Sequence, residues 1–111
     1  MTTKTAPHPV AADKGIAELE RKAGEAAGLL KLLANENRLL ILCRLAMAGE
    51  MSVTSLVEAG DLSQSALSQH LGKMRDDGLV ATRRDAQTIY YRIADKNAAR
   101  LLALLKDIYC S

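Results

Sequence analysis

Two thiols, Cys43 and Cys110, stand far apart in a chain of 111 residues. Thiols so placed remain free, ligate a metal, or close a reversible redox pair. Neither belongs to a Cys-x-x-Cys, and neither has a histidine close by in sequence, which disfavours a thiol enzyme. His8 and His70 add no metal-ligand spacing. A second chemistry is carried by a run of hydroxyls and carboxamides: Ser63, Gln64, Ser65, Ser68 and Gln69, followed by His70 and Lys73. Such groups hydrogen-bond base edges and phosphates. A third group, Arg83, Arg84 and Gln87, offers cationic and polar contacts suited to a phosphate backbone.

These residues need scaffolds, and the periodicities supply them. Ser63 opens a segment closed by Gly78, and Ser52 opens a shorter one closed by Gly60. Serine accepts the free N–H groups of a first helical turn, and glycine accommodates a left-handed cap. Two short helices so closely spaced predict a helix-turn-helix. On the second, Leu67, Leu71 and Met74 share one face. Ser65, Ser68, Gln69, Gly72 and Asp76 share the opposite face, with Gln64 and Lys73 on the flanks. The helix dipole adds attraction for phosphate at its N-terminus, and His70 is expected to pack or to touch phosphate rather than to ligate metal. Leu79–Arg84 and Thr88–Ile93 are β-prone and flank the polar turn 85–87, which predicts a hairpin with its arginines near the tip.

Three further helices are expected. Ile16, Leu19, Ala23, Ala26, Leu30 and Leu33 recur with helical spacing, as do Ala94, Ala98, Leu101, Leu105 and Ile108, with Leu102 and Tyr109 widening that stripe. A small domain does not readily bury two such terminal stripes alone, so a homodimer built on the first and last helices is expected. Between them, Leu39–Ala46 is apolar nearly all round, which predicts a central buried helix with Asn35 or Asn37 as its cap and Gly49 as its stop. Residues 1–13 hold both prolines and no periodicity, so they are expected to be a disordered tail before one domain spanning 14–111.

Composition bounds the class. Apolar residues make up 49% of the chain, with no Phe or Trp. Such a core is aliphatic and favours helices over sheet. The net charge of +2 is too small to identify a nucleic-acid binder by itself, although residues 63–93 carry a basic excess. No apolar run approaches the roughly 20 residues of a membrane span, and no secretion signal is evident, so a cytoplasmic protein is expected. A permanent disulfide is not expected there.

Residues 20–110 resemble the ArsR family of winged-helix repressors. The resemblance is carried by Leu-Ala-Asn-Glu-Asn-Arg-Leu-Leu-Ile-Leu (33–42), Leu-Ser-Gln-Ser-Ala-Leu-Ser-Gln-His-Leu (62–71), Asp-Gly-Leu-Val-Ala-Thr-Arg-Arg (77–84) and Tyr-Tyr-Arg-Ile (90–93). It implies a mainly helical winged helix-turn-helix with a β-hairpin wing, dimerised through its terminal helices on a palindromic operator in double-stranded DNA. The family's metal sensors carry a Cys-x-Cys pair where this chain has Gly49–Thr54, or Asp, His and Glu ligands on the last helix, where it offers only Asp95 and Asp107. No metal site and no cofactor are expected. Cys43, with Cys110 in an Ile-Tyr-Cys ending, resembles instead the sulfide- and persulfide-responsive branch, the BigR and SqrR type, together with the related regulator HlyU. That likeness implies a repressor switched by reactive sulfur species or oxidants at Cys43 and Cys110, through a disulfide or a longer sulfur bridge, with sulfide-detoxification genes as targets. Another inducer such as a metal ion, or antagonism of a nucleoid silencer, are the alternatives.

Overall fold

The computed structural model describes the backbone of residues 9–110 and the side chains of residues 15–110. The chain divides into two compact units, one holding α1 (Pro9–Leu33) up to Leu32 and one formed by residues 33–111. Helix α1 begins at Pro9, so residues 9–13, expected to be structureless, are helical. Proline suits a first helical position, where its missing N–H has no partner to lose and its φ is preset. The rest of the expected tail, residues 1–8, lies outside the described residues. Along α1, Ile16, Leu19 and Leu30 are exposed.

In the second unit, α2 (Glu36–Ala48) is capped by Asn35, whose Oδ1 accepts the Arg38 N–H at 3.0 Å. Gly49 ends it at φ 87°. Ile41, Leu42 and Leu45 are buried, whereas Leu40 is 47% exposed and Ala46 is exposed as well. The expected burial of Leu39–Ala46 is therefore corrected: part of this apolar stretch faces outward. Strand β1 (Met51–Ser52) runs directly into α3 (Val53–Ala59), and Ser52 Oγ accepts the Ser55 N–H at 3.1 Å. Helix α4 (Gln64–Asp76) is capped by Ser63, whose Oγ accepts the Ala66 N–H at 3.1 Å.

After α4 the chain reverses through Gly78 at φ 80°. The Leu79 N–H reaches Met74 O at 2.9 Å and the Gly78 N–H reaches Arg75 O at 3.0 Å, so two otherwise orphaned carbonyls of the last turn are satisfied. Strands β2 (Val80–Asp85) and β3 (Thr88–Ile93) then form the hairpin, with Ala86 at φ 56° in its turn. The sheet order is β1-β3-β2, all antiparallel, with Met51 opposite Tyr91 and Arg83 opposite Tyr90. Helix α5 (Lys96–Tyr109) starts after Asp95, whose Oδ1 accepts the Asn97 and Ala98 N–H groups at 2.8 and 2.9 Å.

The core joins Leu33, the buried residues of α2, Leu56 of α3, Leu67, Leu71 and Met74 of α4, Leu79, Val80, and Ala98 and Leu102 of α5. Leu102, expected at the margin of its stripe, faces inward, while Leu104, Ile108 and Tyr109 are exposed.

A Cβ built on Gly78 meets nothing within 4 Å, so its positive φ alone demands glycine. Gly78→Ala should lower stability by about 1–2 kcal/mol through left-handed backbone strain. A urea melt should show a lower midpoint with unchanged slope, and an unshifted midpoint would contradict this reading of the turn.

Candidate nucleic-acid interface and thiol pair

Helix α4 separates its two chemistries by angle. Leu67, Leu71 and Met74 are at most 1% exposed, which fixes the roll of the helix about its axis. Gln64, Ser65, Ser68, Gln69, Gly72, Lys73 and Asp76 are left exposed, and His70 is half-buried at the margin. The exposed surface is short-chained and carries hydrogen-bond donors and acceptors. Ser63 is exposed too, but its oxygen already accepts the capping bond, so its hydroxyl hydrogen and one lone pair are what it retains to offer. A Cβ at Gly72 meets no atom within 4 Å. Glycine inside a helix costs about 1 kcal/mol relative to alanine, and no packing within the chain requires it at this position.

The wing divides its two arginines. Successive residues of a strand face opposite sides, so Arg83, paired with Tyr90, and Arg84, paired with Ile89, point apart. Arg83 is engaged within the chain. Its Nε donates to Glu50 Oε1 and Oε2 at 3.2 and 3.3 Å, and its Nη2 donates to Oε1 at 2.5 Å. Its guanidinium lies 4.7 Å from the centre of the Tyr90 ring, a cation–π distance. The hydrogen bonds from Arg83 hold the Glu50 carboxyl below the usual carboxylate range, with smaller help from the Arg83 and Arg92 charges. Arg84 and Gln87 are exposed, and no acceptor within the described residues holds them. The expected cluster of Arg83, Arg84 and Gln87 is thus resolved into one tethered arginine and two open side chains. Glu50 was not visible as a partner from the sequence, because 33 positions separate it from Arg83 and only sheet pairing joins them.

Cys43 is half-buried on α2, which packs against α5, and Cys110 is the exposed residue that closes α5, its N–H donating to Lys106 O at 2.8 Å. Burial pushes the Cys43 thiol up from its ordinary value, the nearby Cys110 pushes it further, and Arg44 offsets part of this. Both are free thiols. Among the described residues no three His, Cys, Asp or Glu side chains gather to hold a metal ion.

Residues 35–82 match the family model described as "Bacterial regulatory protein, arsR family". The transcriptional activator HlyU of Vibrio cholerae is 44% identical over 104 residues, covering 94% of this chain and 95% of that protein. The chain belongs to the ArsR family. Two solved ArsR-fold relatives superpose on it: reduced HlyU from Vibrio cholerae, with TM-score 0.78, 47% identity and coverage of 85% of this chain and 98% of that one, and the transcriptional repressor BigR from Xylella fastidiosa, with TM-score 0.78, 40% identity and coverage of 86% and 96%.

The protein is accordingly a DNA-binding transcriptional regulator and not an enzyme, and its fold is the expected winged helix-turn-helix. No helix among the described residues is long and apolar enough to cross a membrane. In this ArsR chain the exposed Cys110 should be alkylated by iodoacetamide ahead of Cys43 at neutral pH, because burial shields Cys43 and keeps it protonated. The Cys43 rate should continue to climb as pH passes the ordinary thiol range, since its pKa lies above it. Peptide mass spectrometry checks the order, and equal rates at pH 7 would contradict it.

Proposed function

We propose that this ArsR regulator binds a palindromic operator as a homodimer and that Cys43 and Cys110 form a reversible thiol switch that releases it. The observation carrying the switch is that Cys43 lies on α2 and Cys110 closes α5, and that these two helices pack against each other. Helix α2 contributes Ile41, Leu42 and Leu45 to the same core that fixes α4, so strain at Cys43 is passed to the reading helix. A solved relative described as reduced HlyU, in a protein so alike, accords with a thiol whose oxidation state matters.

The chemistry uses a low-molecular-weight persulfide as oxidant. Cys110 thiolate takes the outer sulfur of R–S–SH and releases the thiol R–SH. Cys43 thiolate then attacks the inner sulfur of Cys110–S–SH, closing the Cys43–Cys110 bond and expelling hydrosulfide. Two thiols lose two electrons, and the transferred sulfur accepts them and leaves as sulfide. A second persulfide equivalent gives a longer bridge, which intact mass distinguishes. Cys43 thiolate takes its outer sulfur and releases R–SH, and the terminal sulfur of Cys43–S–SH then attacks the inner sulfur of Cys110–S–SH, closing a trisulfide and expelling hydrosulfide.

On the DNA side, Gln64, Ser65, Ser68 and Gln69 face the major groove, with Ser63, His70 and Lys73 toward phosphate. The bare surface at Gly72 allows close approach. Arg84 and Gln87 of the wing grip the backbone. Exposed Ile16, Leu19 and Leu30 on α1, and Leu104, Ile108 and Tyr109 on α5, are covered by a second copy, which sets two reading helices about one DNA turn, ~34 Å, apart. A bridge that shifts them by a few ångströms spoils simultaneous contact, and a coupling of about 1–3 kcal/mol releases the operator 5–150-fold. The genes so controlled are those of sulfide and persulfide handling. The Vibrio relative is described as an activator, which favours, as a second reading, relief of a silencer through the same DNA contacts.

Operator affinity measured by fluorescence anisotropy should fall after persulfide treatment and return with a thiol reductant. Cys43→Ser should abolish the response, and a response that persists in it would remove the switch. Gln69→Ala should weaken operator binding by about 1–3 kcal/mol with little effect on scrambled duplex, while Arg84→Ala should weaken both alike and reduce the salt slope by about 1. Normal operator affinity in both variants would refute the assigned surface.

A further inference from the structure

The outer face of the sheet carries Glu50, Arg83, Tyr90 and Arg92, the residues that strand alternation and the register place together. Arg83 stands three residues before the wing turn at Ala86, about 10 Å along the strand, a distance its own long side chain spans in large part. By position it is a phosphate contact. By geometry it is already satisfied: the Glu50 carboxylate occupies the guanidinium fork in the way a phosphate would, and Tyr90 covers one face of the cation. A planar fork matched to two oxygens is the arrangement in which arginine holds an anion most firmly.

We propose that Glu50 is a specificity-determining residue. Its carboxylate stands in for DNA phosphate on Arg83 and so keeps one cation of the wing out of sequence-independent binding. Phosphate contacts raise affinity for every sequence equally, and base contacts raise it for the operator alone. A regulator that silences a wing arginine therefore loses affinity for bulk DNA without losing the reading by α4, and its operator preference widens. Arg84, on the other strand face and without such a partner, is left to position the wing. This rests on α4 and the wing being the DNA-binding surface.

The test measures the salt dependence of binding to a mixed-sequence duplex for the full chain and for Glu50→Gln. Removing the carboxylate frees one cation, so the log–log slope should steepen by about 0.9, and affinity at 0.15 M salt should rise about fivefold. The double variant E50Q/R83Q should lose this gain. Arg83→Lys, which keeps the charge but lacks the fork that grips Glu50, should move the slope in the same direction by a smaller amount, and it provides a second reading should Glu50→Gln fold poorly. A Glu50→Gln protein that binds bulk duplex no better, or more weakly with an unchanged slope, would overturn the proposal and leave Glu50 as a brace for the wing. A wild-type chain with no salt-dependent DNA binding would instead sink the assigned surface itself.

Discussion

The arrangement depends on one packing constraint: α4 has no freedom to roll. Leu71 and Met74, with Leu42 and Leu45 of α2, have no exposed surface at all. Close-packed interiors transmit displacement instead of absorbing it. The polar face of α4 is held in one orientation because the opposite face is locked in this way. The same packing makes α2 a shared member, with Cys43 and the buried Ile41, Leu42 and Leu45 on a single rod.

Charge is handled with similar economy. The chain is nearly neutral, so long-range attraction to DNA is weak and local placement of each cation decides what binds. Pairing Arg83 with Glu50 and leaving Arg84 open divides two neighbouring arginines between internal structure and external contact. The division follows from strand alternation and costs no additional residue. Arg83 is exposed and Glu50 partly so, and such surface pairs add little to stability; on the proposal made above, the pair matters for what the arginine is prevented from touching.

Much of this was readable from the residues because the signals are local. Ser52, Ser63 and Asn35 cap helices through their own side chains, Gly78 takes the left-handed turn, and the spacing of Leu67, Leu71 and Met74 identifies the inward face of α4. What was not readable is non-local or too short to have a period. Strand β1 has two residues and exists only because β3 pairs with it. Glu50 meets Arg83 only once the sheet is assembled. The apolar character of Leu39–Ala46 predicted burial, yet Leu40 and Ala46 are left facing out, since periodicity reports which residues seek cover and not which neighbour supplies it. The pairing of Cys43 with Cys110 was likewise suggested by family resemblance and not by spacing.

The most direct measurement is the distance between the two α4 helices of the proposed dimer with the thiols free and with them joined. Spin labels attached at Asp76, exposed at the far end of α4, by a chemistry that spares the cysteines, report it by pulsed electron resonance. The account predicts that closing the Cys43–Cys110 bond moves the inter-label distance by several ångströms and that reduction restores it. Superimposable distance distributions in the two states would contradict it, because the bond would then form without moving the heads that read DNA.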